Sequence, residues 1–266
     1  MEKEIMMTEL TAKTNPKVKH FVRLRSDASY RREHSCFVLE GLRLCLDAYL
    51  SGISIAESYV TQKALNMFGD ELSDMLKDSK AYLITDEISD KMSDTQSPQG
   101  VFCIFKMLDK DSMRNKIEVN GKYIAAESIQ NPSNLGAIAR TAEALGISGL
   151  IVGGGCDIYN PKAQRAAMGS LLRLPVITAD NLIDYLLSLK EQGFRVFGTV
   201  PDREAKAVTS VDFNAPCVSV IGNEANGLSD EILKICTDRI TVPMAGRAES
   251  LNASTAAAII MWEMVR

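Results

Sequence analysis

The chain has 266 residues, of which 46% are hydrophobic and 24% are charged, so it can form one large domain or two modest ones. No apolar run approaches the roughly 20 residues that a membrane-spanning helix needs, and the opening residues Met1–Met7 are too acidic and polar for a signal peptide. These features predict a cytosolic protein. The formal net charge of −4 argues against a protein that binds polyanions over its whole surface.

The cysteines and histidines show no pattern typical of a metal site. The six cysteines contain no Cys-x-x-Cys pair, and neither His20 nor His34 has a Cys or His partner at metal-ligand spacing. Most of the cysteines lie within apolar runs, which predicts buried, reduced thiols. We therefore expect chemistry without a metal.

The first part of the chain predicts a small α/β domain over residues 1–107, followed by a charged and polar linker over residues 108–120. Apolar runs predict strands at Cys36–Glu40, Ile55–Val60, Ala81–Ile84 and Val101–Phe105. Leu42–Leu50 has the apolar spacing of a helix, and Gly52 after it is a suitable helix cap.

A basic segment lies near the N-terminus. From Lys13 to Arg32 there are seven basic residues against one acidic residue, Asp27. Such a segment can dock a phosphate backbone, and a solvated helix face would have the same composition. The candidates for backbone contact are Lys17, Lys19, Arg23 and Arg25.

Residues 121–266 predict a second domain in which strands and helices alternate. The strands are predicted at Tyr123–Ala126, Gly149–Val152, Arg195–Val200, Val218–Ile221 and Arg239–Val242. The helices are predicted at Leu135–Leu145, Pro161–Leu171, Leu182–Glu191, Asp230–Cys236 and Ser254–Val265. Helix caps are predicted at Gly146, Gly193, Asp180 and either Ser254 or Thr255. This alternation implies a mainly parallel sheet with helices on both faces, and ligands bind such sheets at the carboxyl ends of the strands.

The loop after Ala126 and the helix that follows it carry the first candidate residues. Asn134 offers amide donors and an acceptor, and Gly136 permits close approach of another backbone. Arg140 follows on the helix. Its residue type alone favours a surface ion pair with Glu143, three residues further on.

The loops after Ile221 and Val242 are rich in Gly and Asn. In the first, Glu224 lies between Gly222-Asn223 and Asn226-Gly227, where it could orient a substrate hydroxyl or simply belong to a polar turn. The second runs through Glu249-Ser-Leu-Asn252 into an Ala-rich helix. Neither loop, nor Gly153-Gly-Gly155, matches a phosphate-binding glycine fingerprint, so we expect a cofactor without a pyrophosphate. Lys162 and Arg165 on the helix after the glycine triplet are suited to meet a phosphate from outside.

Three of these segments together resemble the motifs of the SpoU (TrmH-type) family of RNA ribose 2′-O-methyltransferases. They are Asn131-Pro-Ser-Asn-Leu-Gly with Arg140-Thr-Ala, Ile221–Ser229, and Val242-Pro-Met-Ala-Gly with Glu249-Ser-Leu-Asn-Ala-Ser-Thr-Ala256. Asn15–Arg25, Phe37–Arg43, Ser97-Pro-Gln-Gly-Val101 and Asn160–Ser170 resemble further parts of the family. The likeness thus covers nearly the whole chain. One departure is Asn131, where the family often has Asp.

The resemblance implies a SPOUT-type α/β knot that binds S-adenosylmethionine in a bent shape and forms a homodimer through the knot region. It also implies an N-terminal substrate-binding domain similar to a ribosomal RNA-binding protein. Carried over residue by residue, the catalytic set is Asn134, Arg140, Glu224, Ser250 and Asn252. The cofactor-binding set is Gly222, Asn223, Ile240, Val242, Met244, Ser250, Leu251 and Asn252.

The implied reaction is in-line attack of a ribose 2′-hydroxyl on the sulfonium methyl group, for which positioning supplies much of the rate. A leading proposal for the family makes the arginine, here Arg140, the base. Because arginine is effectively always protonated, our hypothesis is that Arg140 binds an RNA phosphate and stabilises the developing alkoxide. The N-terminal domain favours ribosomal RNA as the target, with transfer RNA second. The competing interpretations are a nicotinamide or nucleotide-phosphate enzyme and a catalytically silent RNA-binding module.

Overall fold

The computed structural model describes residues 7–108 and 117–266, so residues 109–116 of the predicted linker lie outside the described residues. Contacts divide the chain into two units, Met1–Leu108 with Tyr159–Pro161, and Asp109–Ile158 with Lys162–Arg266. Within the described ranges, no helix is long and apolar enough to cross a membrane.

The first unit is built on a five-stranded sheet. Its strands are β1 (Thr8–Leu10), β2 (Cys36–Glu40), β3 (Ile55–Thr61), β4 (Lys80–Ile84) and β5 (Val101–Lys106). Its helices are α1 (Pro16–Ser26), α2 (Ala28–His34), α3 (Leu42–Leu50), α4 (Gln62–Lys77) and α5 (Asp86–Met92). The strand order is β1-β4-β3-β5-β2, in which β5 is antiparallel to both neighbours and the other pairs are parallel. The predicted strands of this unit are confirmed to within one residue.

Local sequence explains how α1 joins this core. Asn15 caps the helix by accepting a hydrogen bond from the Lys17 backbone N–H, and Pro16 occupies the first turn. The buried side chains Val18, Phe21 and Leu24 recur at helical spacing and belong to the core cluster. The basic residues between them are left on the outer side of α1.

From residue 122 onward the chain forms a seven-stranded sheet. Its strands are β6 (Lys122–Glu127), β7 (Gly149–Gly153), β8 (Val176–Ala179), β9 (Arg195–Thr199), β10 (Lys206–Ala207), β11 (Cys217–Ile221) and β12 (Asp238–Thr241). Its helices are α6 (Pro132–Ala144), α7 (Pro161–Ala167), α8 (Ser170–Arg173), α9 (Leu182–Glu191), α10 (Asp230–Ile235) and α11 (Ala253–Val265). The order is β10-β12-β9-β11-β6-β7-β8, with every neighbouring pair parallel.

The fully parallel sheet confirms the predicted architecture and determines where the loops meet. β6, β9 and β11 are central neighbours, so the loops after them leave the same edge of the sheet. The strands are buried on both faces, as their nearly continuous apolar runs require. Tyr123 and Val218 lie in the core cluster between sheet and helices.

Several local predictions were wrong. The helix expected over Pro161–Leu171 is two helices, because Met168 (φ 50°) and Gly169 (φ 87°) adopt left-handed conformations that interrupt it. Asn181, rather than Asp180, caps α9. Asn252, rather than Ser254 or Thr255, caps α11 by accepting from the backbone N–H groups of those two residues. The edge strands β8 and β10 were not predicted.

Candidate active site

A cleft of about 660 Å³ lies at the carboxyl ends of β9, β11 and β12. Seven of the eight residues predicted to bind the cofactor line it: Gly222, Asn223, Val242, Met244, Ser250, Leu251 and Asn252. A further wall is formed by Thr199, the last residue of β9, and by Val200 and Pro201 after it. Ligands of parallel sheets bind at loops that follow the carboxyl ends of the strands. The eighth residue, Ile240, is fully buried within β12 and is not among the lining residues.

Glu224 is a hydrogen-bonding centre at the rim of this cleft. Its carboxylate accepts from the backbone N–H of Gln130 (3.0 Å) and of Asn131 (3.1 Å), and from the side-chain amide of Asn134 (2.9 Å). The loop after β11 is thereby joined to the loop after β6. Hydrogen bonds to an ionised carboxylate are stronger than those between neutral groups, so this junction holds both loops in place.

These contacts also determine the ionisation of Glu224. Partial burial alone would raise the pKa of the carboxyl group. The hydrogen bonds from Asn134, Gln130 and Asn131 outweigh that effect and lower the pKa below its ordinary value of 4.5. Glu224 is therefore ionised at neutral pH and acts there as an acceptor rather than as an acid.

Asn134 extends the network to the third loop. It is buried, with 6% of its surface exposed, and its side-chain oxygen accepts a hydrogen bond of 3.1 Å from the amide of Asn252. The Asn252 oxygen in turn caps α11. Glu224 in the loop after β11, Asn134 in the first turn of α6 and Asn252 at the start of α11 thus form one connected chain.

The backbone of the loop after β11 is compact for a specific reason. A Cβ atom on Gly222 would lie 2.3 Å from the carbonyl carbon of Gly227, so only glycine lets the loop fold back this closely. Asn223 and Gly227 exchange backbone hydrogen bonds of 2.9 Å, and the Asn223 amide donates to the Ser128 carbonyl at 2.8 Å. This loop is therefore held against the loop after β6 independently of Glu224.

Arg140 does not pair with Glu143, contrary to the interpretation that residue type alone favours. Glu143 binds Arg173 through two hydrogen bonds, of 2.6 and 2.8 Å, and this contact lowers the pKa of Glu143. Arg140 is exposed and makes no ion pair with any residue of the ranges 7–108 and 117–266. It is six residues beyond Asn134 on α6, which is a rotation of about 240°, so the two side chains leave the helix in different directions.

The structure assigns different surroundings to the basic residues predicted to contact RNA. Lys17 pairs with Glu57, and this contact raises the pKa of the lysine. Arg25 donates to the backbone carbonyls of Met92 and Ser93. Lys19 is exposed, and Arg23 is exposed with its guanidinium 4.1 Å from the centre of the Tyr30 ring. On α7, Lys162 is exposed and Arg165 is half-buried.

Among the described residues, no three His, Cys, Asp or Glu side chains lie close enough together to hold a metal ion. All six cysteines are free thiols. Cys45, Cys103 and Cys217 are buried, and the other three are half-buried.

Comparison with known proteins shows which class of enzyme has this arrangement. The 23S rRNA (guanosine(2553)-2′-O)-methyltransferase RlmP of Bacillus subtilis is 28% identical over 97% of this chain and 99% of its own length. The tRNA (guanosine(18)-2′-O)-methyltransferase of Aquifex aeolicus is 34% identical over 54% of this chain and 68% of its own length. The crystal structure of the SpoU methyltransferase AviRb from Streptomyces viridochromogenes, in complex with AdoMet, superposes with a TM-score of 0.85 at 28% identity, covering 94% of this chain and 97% of that one.

The fold and the cleft define a SPOUT-type, S-adenosylmethionine-dependent RNA methyltransferase. The model of the SpoU rRNA methylase family matches residues 121–262, and that of the MRM3-like substrate binding domain matches residues 15–103. The chain belongs to the SpoU rRNA methylase family. This confirms the family resemblance, the fold class and the cofactor expected from the sequence, and it excludes the nicotinamide interpretation.

Proposed function

We propose that this protein methylates a ribose 2′-hydroxyl of ribosomal RNA, with S-adenosylmethionine as the methyl donor. The observation that carries the proposal is the hydrogen-bonded chain from Glu224 through Asn134 to Asn252, which lies at the rim of the donor cleft. A protein that only bound RNA would not need this polar chain, whose central residue Asn134 is buried, beside a cleft of donor size.

The cleft suits the methyl donor in volume and in lining. Its 660 Å³ falls within the range of about 300–1,000 Å³ of small-molecule sites. Met244 and Leu251 provide apolar surface, and the loops around Gly222 provide backbone donors and acceptors for an uncharged purine. S-adenosylmethionine supplies a methyl group already activated by its sulfonium charge.

The residues of this chain then position the attacking hydroxyl. Asn134 is fixed by one hydrogen bond on each side, and its amide retains one further donor and its oxygen one further lone pair. These free positions can orient a ribose hydroxyl next to the cleft. Arg140, exposed and without an ion pair in the described ranges, is available to an RNA phosphate and to the developing alkoxide charge.

Similarity along the whole chain favours ribosomal RNA over transfer RNA. The 23S rRNA methyltransferase RlmP matches over 97% of this chain, so both units have counterparts. The Aquifex tRNA enzyme matches over 54%. We assign residues 1–107 to RNA binding, with Lys19 and Arg23 on its outer face, and residues 121–266 to methyl transfer, with Lys162 and Arg165 as further RNA contacts. A ribosomal substrate is compatible with the cytoplasmic location that the sequence predicts.

We also assign a homodimer to this protein. Trp262 on α11 is 56% exposed, and α11 packs against α6, which carries Asn134 and Arg140. Tryptophan is enriched among the residues that contribute most of the binding energy at the centre of protein interfaces. A dimer formed through α11 would therefore have its interface next to the helix that carries the proposed catalytic residues.

The decisive experiment mixes the purified protein with S-adenosylmethionine labelled in its methyl group and with total RNA from cells that lack the gene. We expect label in 23S or 16S rRNA, and its position is read by mapping 2′-O-methyl groups. An otherwise identical RNA with a 2′-deoxy target nucleotide should accept no label. Label confined to transfer RNA would show that transfer RNA, and not ribosomal RNA, is the substrate. Label in the 2′-deoxy RNA would show that the methyl group is not transferred to a ribose 2′-hydroxyl.

A further inference from the structure

The first unit contains a groove that the methyl-transfer chemistry does not use. It has a volume of about 470 Å³ and lies where β3 and β4 end, between α4, the start of α5 and the segment 97–100. All of its lining residues belong to the unit that matches a substrate binding domain. Lys17 and Arg25 on α1 are hydrogen-bonded to other residues of this unit, so they are less available to RNA than the sequence predicts. The groove offers this domain another surface for contact with its substrate.

One wall of the groove is rigidly built. A Cβ atom on Gly100 (φ 75°) would lie 2.2 Å from the Thr61 hydroxyl, so glycine is required for the segment to close against the start of α4. The Thr61 N–H donates to the Gly100 carbonyl at 2.9 Å, and the Leu42 N–H donates to the Gln99 side chain at 3.0 Å. The segment Ser97–Val101, which resembles the family's N-terminal domain, therefore shapes a preformed cavity.

The groove combines an apolar floor with a free cation. Met67 on α4 is 61% exposed, and the half-buried Phe68 and Pro98 continue the apolar surface. Lys63, one turn before Met67, is exposed and has no ion pair with a described residue. An apolar surface that includes an aromatic ring, here Phe68, beside an ammonium group can hold a single-stranded nucleotide, since the base packs on the apolar side chains and the phosphate meets the cation.

The opposite wall restricts which base can bind. Asp86 and Asp90 on α5 both line the groove and are exposed. Carboxylates repel a phosphate and accept hydrogen bonds from the amino groups of bases. The phosphate is thus confined to the Lys63 side, and a base with an exocyclic amino group is favoured on the other side.

We propose that this groove binds an unpaired, amino-bearing nucleobase of the substrate RNA, stacked on Met67 and Phe68 with its phosphate at Lys63. The proposal rests on the proposed function in that the substrate is RNA. It adds a contact in the N-terminal unit that selects RNA by an unpaired base. Base recognition of this kind is typical of proteins that read single-stranded loops and bulges.

The test uses the full-length protein without methyl donor and measures fluorescence anisotropy of a labelled adenylate 12-mer and of an abasic 12-mer with the same backbone. Met67→Gln should weaken binding of the adenylate 12-mer about fivefold and leave the abasic 12-mer unaffected, because a polar amide replaces about 1 kcal/mol of apolar contact with the base. Lys63→Gln should weaken binding of both. Leu50→Gln and Lys80→Gln are matched controls, since Leu50 is an exposed apolar residue (78%) and Lys80 an exposed lysine, both outside the groove.

In the methylation assay, the two groove variants should raise the apparent KM for total RNA about fivefold while the maximal rate and the affinity for the donor stay unchanged. If Met67→Gln binds the adenylate 12-mer as tightly as the wild type, or loses equal affinity for the abasic 12-mer, the groove is not a base site. These outcomes are distinct from a failure of the proposed function, which would show as a wild-type protein that binds RNA and transfers no methyl group.

Discussion

At the scale of single residues, Glu224 does the most to hold the candidate site together. Its carboxylate accepts hydrogen bonds from three N–H groups, two in the loop after β6 and one on Asn134 in the first turn of α6. In Glu224→Gln, an NH2 group replaces one of the accepting oxygens, so at least one donor loses its partner. We expect methyl transfer to fall about tenfold or more, measured as kcat at saturating RNA and donor. Glu231→Gln, an exposed carboxylate on α10, is the control and should keep wild-type activity.

The lowered pKa of Glu224 gives a second test of the same contacts. The folded protein stabilises the carboxylate form of Glu224. The contribution of Glu224 to folding stability is therefore fully present above the unfolded-state pKa of 4.5, and it is lost as pH falls through the lower pKa of the folded state. The difference in unfolding free energy between wild type and Glu224→Gln should therefore shrink below pH 4.5. Denaturant unfolding of both proteins at intervals of about half a pH unit between pH 3 and pH 7 would measure this difference. A difference that does not change with pH would contradict the hydrogen-bonding role.

Arg140 is tested by removing its charge and by keeping it. Arg140→Ala should lower kcat about 10²–10³-fold, as loss of one group that stabilises transition-state charge does, with unchanged donor affinity by calorimetry. Arg140→Lys keeps a point charge and should recover part of the rate. Arg239→Ala removes an exposed arginine from β12 and serves as the control. Normal methylation by Arg140→Ala would eliminate both the base and the phosphate-binding hypotheses.

At the scale of elements, the close packing of α6 and α7 depends on Gly136. A Cβ atom there would lie 2.5 Å from the Ala163 carbonyl oxygen and 2.8 Å from the Ala167 nitrogen, which are backbone atoms that cannot move independently. Gly136→Ala should therefore destabilise the protein by about 1–3 kcal/mol. Gly69→Ala on α4, where a Cβ meets nothing within 4 Å, should stabilise it by about 0.5–1 kcal/mol. Opposite shifts of the thermal midpoint would confirm both; equal shifts would contradict the close contact.

The sequence predicted the central elements of the fold well because their signals are local. β2, α3 and α9 begin and end where apolar pattern and capping glycines place them. The edge strands β8 and β10 have only four and two residues, too short to show an alternation. The break after Ala167 depends on the left-handed conformation of Met168. A non-glycine residue rarely adopts this conformation, so the sequence does not predict it. Tertiary contacts must stabilise it.

The motifs name the residues of the candidate site, and they do not show which of these residues are hydrogen-bonded to one another. Glu224 and Asn134 are 90 residues apart, and Asn134 and Asn252 are 118 apart. Their contact depends on the strand order β12-β9-β11-β6 in the sheet, which the alternation of strands and helices along the sequence leaves open. The engagement of Lys17 with Glu57 was hidden for the same reason. Charge patterning identifies a basic residue but cannot show which tertiary partner neutralises it.

At the scale of the whole molecule, the proposed homodimer determines how many chains form the active enzyme. Trp262 provides the test, because it is 56% exposed on α11, beside the helix that carries Asn134 and Arg140. If α11 forms the dimer interface, Trp262→Glu places a charge in a desolvated contact, and losing such an anchor costs about 2 kcal/mol or more. We therefore expect light scattering after gel filtration to show a dimer for the wild type and a monomer for the variant at micromolar concentration.

The matched control for this experiment is Leu187→Glu, which introduces the same charge at an apolar residue of α9 that is 39% exposed. α9 packs against β9 and α10, which are not part of the proposed interface, so a charge on α9 should leave the dimer intact. Circular dichroism of both variants shows whether they are folded. A Trp262→Glu protein that is folded and still dimeric would place the interface elsewhere. A folded monomer that binds the donor normally would show that the cleft at β9, β11 and β12 forms within one chain, so that dimerisation serves a step after donor binding.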